Sequence, residues 1–205
     1  MEKNKSVTIE KTFNLAVKNH QEGKTDIAQE LYNQVLKIDP NHSQTLNNVA
    51  VIFKNLKDYQ KAKKYYEKVI AINPNHTDTH NNLGNIFKEL GENEKAKRCY
   101  EKAIEINPNY ASGYNNLGVI FKELGENEKA KNCYEKVIEF NPNYVEAHFN
   151  LGIIFKELGD DQNAKKCFEK ALEIDPLNKK SMAEYGNILL FLNDKFKGYE
   201  YIKKG

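Results

Sequence analysis

The spacing of the prolines constrains this chain more than any other feature of its sequence. All five prolines of the 205 residues lie 34 residues apart, at Pro40, Pro74, Pro108, Pro142 and Pro176. The three cysteines, Cys99, Cys133 and Cys167, keep the same interval. A residue type confined to one phase of a fixed period marks a repeated structural unit, and this period is typical of a helix-turn-helix solenoid. The sequence therefore predicts an all-α repeat fold.

Repeats that end two residues after each proline divide the chain into five complete units and an incomplete sixth. The units are 9–42, 43–76, 77–110, 111–144, 145–178 and 179–205, preceded by a polar N-terminal tail, 1–8. Position 8 of each unit is small: Ala16, Ala50, Gly84, Gly118, Gly152 and Gly186. Position 24 of each complete unit is aromatic: Tyr32, Tyr66, Tyr100, Tyr134 and Phe168. Small residues opposite large ones at fixed positions predict closely packed helix pairs.

Glycine and proline predict where the helices of each pair end. Gly91, Gly125 and Gly159 follow FKEL segments, and glycine readily takes the left-handed conformation that closes a helix. The acidic residue after each glycine favours the start of a second helix, because it lies near the positive end of the helix dipole. The proline then ends the second helix, because its ring removes a donor and restricts the residue before it.

Composition argues against several classes of function. Lys and Arg number 31 and Asp and Glu 29, and the two signs alternate along the chain, so we expect neither nucleic acid nor a membrane as a partner. The polar start of the chain predicts no signal or membrane span, and hence a cytoplasmic protein. The odd number of cysteines, without a CxxC or Cys/His cluster, predicts reduced thiols and no metal. No phosphate loop, nucleophile elbow or recurrent acid pair appears, so we expect no cofactor and no catalysis.

This pattern resembles the tetratricopeptide repeat (TPR) family from about residue 9 to the end of the chain. The resemblance rests on small residues at positions 8 and 20, aromatic residues at positions 11 and 24, and proline at position 32. It implies a right-handed TPR superhelix whose first helices line a concave groove, with 9–178 as five repeats and 179–205 as an incomplete repeat or cap. Position 4, often Trp in the family, varies here from Thr12 to His148.

A ladder of asparagines at position 6 is the leading candidate site. It comprises Asn14, Asn48, Asn82, Asn116 and Asn150. An amide side chain offers a donor and an acceptor, so a row of them suits the backbone of an extended peptide. The alternative is that these amides only bond between neighbouring repeats. The ladder resembles that of O-linked N-acetylglucosamine transferases, which implies that the five asparagines contact a polypeptide ligand.

Further polar residues flank the ladder. The additional amides are Asn81, Asn85 and Asn115, and position 12 forms a row of lysines, Lys54, Lys88, Lys122 and Lys156. The lysines would attract a carboxylate, whereas the glutamates beside them, Glu89, Glu123 and Glu157, favour the alternative of a solvated rim of mixed charge.

The sixth unit departs from the pattern because Leu190 and Phe191 stand where repeats three to five carry Lys and Glu. An apolar surface at the end of an array predicts an interface with a following domain or with a second copy. The sequence thus predicts a protein-protein interaction module that binds an extended segment. The alternatives are the non-catalytic recognition arm of a larger transferase-like enzyme and a self-assembling scaffold.

Overall fold

The computed structural model describes residues 2–205, with side chains from Lys5 onward, and over these residues the chain forms helices only. The twelve described helices are α1 (Glu2–Gln21), α2 (Thr25–Ile38), α3 (Ser43–Asn55), α4 (Tyr59–Ile72), α5 (Thr77–Glu89), α6 (Asn93–Ile106), α7 (Ala111–Glu123), α8 (Asn127–Phe140), α9 (Val145–Glu157), α10 (Asp161–Ile174), α11 (Lys179–Phe191) and α12 (Lys195–Lys204). The predicted all-α repeat fold is confirmed.

Each repeat contributes one pair of helices. The first helix begins at Glu2, so that residues 2–8 lie in its first turns. At the other end, the incomplete sixth repeat still forms both helices, since α12 runs from Lys195 to Lys204. The described helices include none that is long and apolar enough to span a membrane.

Left-handed residues close the first helix of the pairs. Gly91, Gly125 and Gly159 have φ of 74°, 73° and 78°, which confirms the predicted role of these glycines. Two other repeats use side-chain-bearing residues for the same turn, Lys57 with φ 59° and Asn193 with φ 69°. A lysine in this conformation is strained, because its Cβ crowds the backbone.

The core of each pair is built by a small residue of the first helix facing the aromatic residue of the second. A Cβ placed on Gly118 would lie 2.7 Å from Cε1 of Tyr134, and one on Gly152 would lie 2.7 Å from Cε1 of Phe168. Both rings are fully buried. Contact this close leaves no room for a methyl group, so the predicted pairing of small and aromatic positions is confirmed.

The helices group into two compact units, one ending at Ile106 and one comprising Asn107–Gly205. In the first unit a core cluster forms around Ala16, Tyr32 and Ile52. In the second a cluster forms around Phe168 and Ile188. In repeats one to five of these units, the aromatic residue at position 24 of the second helix is fully buried.

Candidate functional site

The five asparagines of the predicted ladder lie on first helices in both units. Asn14, Asn48 and Asn82 lie on α1, α3 and α5 of the first unit, whereas Asn116 and Asn150 lie on α7 and α9 of the second. Asn14 is exposed and the other four are half-buried. Their side chains therefore reach the surface of the first-helix face while their stems remain packed.

One ladder amide makes the inter-repeat bond of the structural alternative. Nδ2 of Asn48 donates to the hydroxyl of Tyr32 at 3.1 Å. Burial raises the pKa of that hydroxyl, and the bond from Asn48 lowers it in part. Asn48 thus helps to satisfy a buried tyrosine of the preceding repeat.

Two other ladder amides are not used in this way. Within the described chain, the side chains of Asn82 and Asn150 make no hydrogen bond, and the buried hydroxyls of Tyr66 and Tyr134 have no partner. The hydroxyl of the equivalent Tyr100 donates instead to Asn85 of its own repeat, at 2.8 Å. Position 9 is valine in the repeats of Tyr66 and Tyr134, so those two rings lack such an acceptor. The amides of Asn82 and Asn150 are available to a ligand because they make no hydrogen bond within the described chain.

The amides of position 5 distinguish the two units. In the first unit, the hydroxyl of Thr79 donates to Oδ1 of Asn47 at 3.3 Å and links adjacent repeats. In the second unit, the residue at the place of Thr79 is Ala147, and Oδ1 of Asn115 is a buried acceptor with no partner. The sequence predicted Asn115 only as one of the amides that flank the ladder. The missing partner of its oxygen could have been predicted by comparing position 3 between repeats, because the third repeat has Thr79 there and the fifth has Ala147.

Asn115 lies in a groove of the second unit with a volume of about 380 Å³. Besides Asn115, the groove is lined by residues of α9 and of the start of α11: Val145, Glu146, Phe149, Asn150, Lys179 and Lys180. This groove brings together two predicted amides, Asn115 and Asn150. The ring of Phe149 also contacts the buried ring of Phe168, with centroids 5.9 Å apart, which holds it in place.

The remaining flanking amides and the lysine row are placed differently. Asn81 is only 7% exposed, and Asn85 accepts the hydroxyl of Tyr100. Nζ of Lys122 lies 3.4 Å from Glu157 and Nζ of Lys156 lies 2.7 Å from Glu184. These two lysines therefore have carboxylate partners in the neighbouring repeat. Lys88 is half-buried and lies on the first helix α5.

Two grooves of the first unit hold other predicted residues. Lys54 and Asn85 line one of about 340 Å³, and Asn14 lines one of about 700 Å³ beside Phe13 and Gln44.

The last repeat is partly closed by its own second helix. A Cβ on Gly198 would lie 2.7 Å from Cδ2 of Leu190, so Leu190 packs against α12 and is half-buried. Phe191 is 74% exposed, and Phe196 of α12 is 84% exposed. Of the two residues predicted as an interface, Phe191 is the one that faces solvent.

The cysteines and histidines contribute to packing and capping. Burial raises the pKa of all three thiols to about 11, which keeps them protonated and poorly nucleophilic near neutral pH. His76 caps α5 by accepting from the backbone N–H of Thr79 at 3.3 Å, and His80 bonds to the carbonyl of Pro74 at 2.8 Å. Over the residues that the structure describes, no group of three metal-binding side chains converges.

Several solved structures are similar to this fold. PilF of Pseudomonas aeruginosa superposes with a TM-score of 0.87 at 19% identity, over 97% of this chain and 90% of PilF. MamA superposes with a TM-score of 0.71 at 28% identity, over 84% of this chain and 94% of MamA. YrrB, described as a TPR protein with an unusual peptide-binding site, gives a TM-score of 0.67 at 20% identity, over 83% and 88% of the two chains.

Sequence comparisons give the family directly. Among curated proteins, none matches the chain. Models of the TPR repeat match residues 84–125 and 118–159, and models of the tetratricopeptide repeat match 43–76, 145–178, 65–98 and 13–42. Together these matches run without a gap from residue 13 to 178. The chain belongs to the tetratricopeptide repeat family.

Proposed function

We propose that this protein is a non-catalytic protein-protein interaction module that binds an extended peptide segment on the face of its first helices. The family and its structural neighbours support an interaction module. The observation that supports peptide binding on this face is the availability of Asn82 and Asn150, whose amides make no hydrogen bond within the described chain.

A peptide in extended conformation presents alternating N–H and C=O groups, and an amide side chain can satisfy one of each. Asn150 lies in a groove that also offers the unsatisfied oxygen of Asn115 and the ring of Phe149. Such a surface binds the backbone with little regard for sequence, while the pockets between side chains select particular residues.

The test is a binding measurement with a library of random extended peptides on the full chain. We expect Asn150→Ala to weaken the best library peptide that binds the second unit by about 1–2 kcal/mol, because it removes hydrogen bonds from a partly desolvated backbone. Asn132→Ala is the matched control, since Asn132 is an exposed amide on the second helix α8. Equal affinity for both variants, or no peptide bound by the parent, would contradict the proposal.

Self-assembly through the last repeat is a second candidate function, favoured by the exposure of Phe191 and Phe196. We expect Phe191→Glu to lower any concentration-dependent mass in sedimentation while leaving the helical signal unchanged. Because Leu190 packs against Gly198, Phe191 alone is the residue to change. A parent protein that stays monomeric at high concentration would rule this function out.

A further inference from the structure

We propose that the groove of the second unit selects an extended peptide segment that carries an acidic side chain beside an apolar one. The inference rests on the proposed peptide-binding function and adds the chemistry of the ligand to it. Three features of the groove carry it: its charge, its unsatisfied acceptor and its fixed aromatic ring.

The charge of the groove favours a carboxylate. Lys179 and Lys180 are exposed at the start of α11, and neither forms an ion pair or a hydrogen bond with the described residues. The only acidic side chain of the lining is Glu146. The start of a helix adds a partial positive charge, and Asn178 already caps it by accepting from the backbone N–H of Ser181 at 3.0 Å. A carboxylate would therefore approach the two ammonium groups rather than displace the cap.

Two lysines on the first helices of the same unit behave differently. Lys122 and Lys156 each have a carboxylate partner in the neighbouring repeat. Lys179 and Lys180 have none, so their charge is left to solvent or to a ligand. This difference locates the preference for an acidic residue at the start of α11.

The unsatisfied oxygen of Asn115 sets the register of the segment. In the first unit the equivalent oxygen, Oδ1 of Asn47, receives the hydroxyl of Thr79. Ala147 has no hydroxyl to donate, so Oδ1 of Asn115 remains buried without a partner in the described chain. A buried acceptor without a donor costs free energy, and an N–H of a bound peptide would supply the donor.

Phe149 and Val145 line the groove and are half-buried, so we expect them to contact an apolar side chain of the ligand. Phe149 is held by its contact with Phe168, so it offers a fixed surface to an apolar side chain. Position 5 is asparagine in repeats two to four and phenylalanine in the first and fifth repeats, Phe13 and Phe149. Within the second unit, Phe149 is thus the phenylalanine at position 5 that lines a groove.

The experiment uses short synthetic peptides blocked at both ends, with Leu-Asp-Leu, Leu-Asn-Leu or Leu-Lys-Leu at the centre of a Gly-Ser background. Binding to the full chain is measured by fluorescence anisotropy at low and high salt. We expect the Asp peptide to bind about threefold to tenfold more tightly than the Lys peptide, with the difference reduced by salt.

Two variants separate the contributions. Lys179→Glu with Lys180→Glu should abolish the preference for Asp, whereas the matched double reversal on α10, Lys165→Glu with Lys166→Glu, should keep it. Ala147→Thr should weaken all three peptides by about threefold to tenfold, because its hydroxyl competes for Asn115, and should leave the preference for Asp unchanged.

The outcomes distinguish this inference from the proposed function. If the three peptides bind equally, or if the preference survives the reversal at Lys179 and Lys180, the inference is wrong while peptide binding stands. If neither these peptides nor the random library bind the parent protein, the proposed function fails as well.

Discussion

At the scale of single residues, the tightest constraint is the contact between the small residue of one helix and the ring of the next. Gly84, Gly118 and Gly152 lie so close to the buried rings that an added methyl would force those rings to move. Core packing of this density responds to a single methyl group. The glycine at position 8 therefore reflects a steric need in repeats three to five, whereas repeats one and two carry alanine there.

We expect Gly118→Ala to lower the free energy of unfolding by about 1–3 kcal/mol, as found for overpacked cores. The added methyl would meet Cε1 of Tyr134 at 2.7 Å. Urea denaturation followed by circular dichroism measures the change. Gln162→Ala, at an exposed position of α10, is the control and should change stability by less than about 0.5 kcal/mol. Comparable effects of the two substitutions would show that the close contact is relieved at no cost.

The buried thiols predict a loss of stability at alkaline pH. Burial raises the pKa of Cys133 from 9.0 to about 11 in the folded protein. The unfolded chain therefore releases its proton first as the pH rises, so this contribution to stability is complete below pH 9 and falls between pH 9 and about 11. A variant with alanine at all three cysteines should show a shallower decline in its urea midpoint over this range. Parallel declines would assign the effect to other groups.

At the scale of helices, the turn inside each pair depends on one left-handed residue. Four pairs supply glycine, but the pair of α3 and α4 supplies Lys57, with φ 59°. Asp58 then caps α4 by accepting from the backbone N–H of Lys61 at 3.1 Å. The cap fixes the start of α4, and the strain is confined to Lys57.

We expect Lys57→Gly to stabilise the protein by about 0.5–1 kcal/mol, because glycine takes this conformation without steric cost. The converse change, Gly125→Ala, should destabilise it by at least as much, although no atom lies within 4 Å of the added methyl. Thermal denaturation of both variants measures the two effects. A destabilised Lys57→Gly variant would mean that the lysine side chain contributes more than its backbone strain costs.

At the scale of the whole molecule, stability is distributed over the interfaces between adjacent repeats, as in other repeat arrays. The hydrogen bond from Thr79 to Asn47 is one link between adjacent repeats. In the second unit two equivalent links are missing. Asn115 faces Ala147 without a donor, and the buried hydroxyl of Ser181 has no partner where Phe149 replaces asparagine.

We expect Ala147→Thr to raise the free energy of unfolding by about 0.5–1.5 kcal/mol, the usual net value of one hydrogen bond. The equivalent position in the first unit is occupied by Thr79, whose side chain is fully buried. Ala147→Val is the control of equal shape without a hydroxyl, and it should give no gain. If both variants change stability alike, the link at Asn115 is not restored by the hydroxyl. If Ala147→Thr raises the free energy of unfolding and also weakens peptide binding, as expected above, then alanine at this position favours binding at the cost of stability.

The sequence by itself determined the repeat, its helix pairs, its turns and its family, because prolines, glycines and aromatic residues act locally and recur at one period. It also placed the amide ladder on the first helices. Only the tertiary structure decided which amides remain available: Asn48 and Asn82 occupy the same position, but Asn48 donates to Tyr32, whereas Asn82 makes no side-chain hydrogen bond within the described chain. The unsatisfied oxygen of Asn115, the ion pairs of Lys122 and Lys156 and the exposure of Phe191 likewise depend on contacts between residues distant in sequence. A one-dimensional pattern fixes which side chains face a groove, but the partners inside it are set by packing in three dimensions.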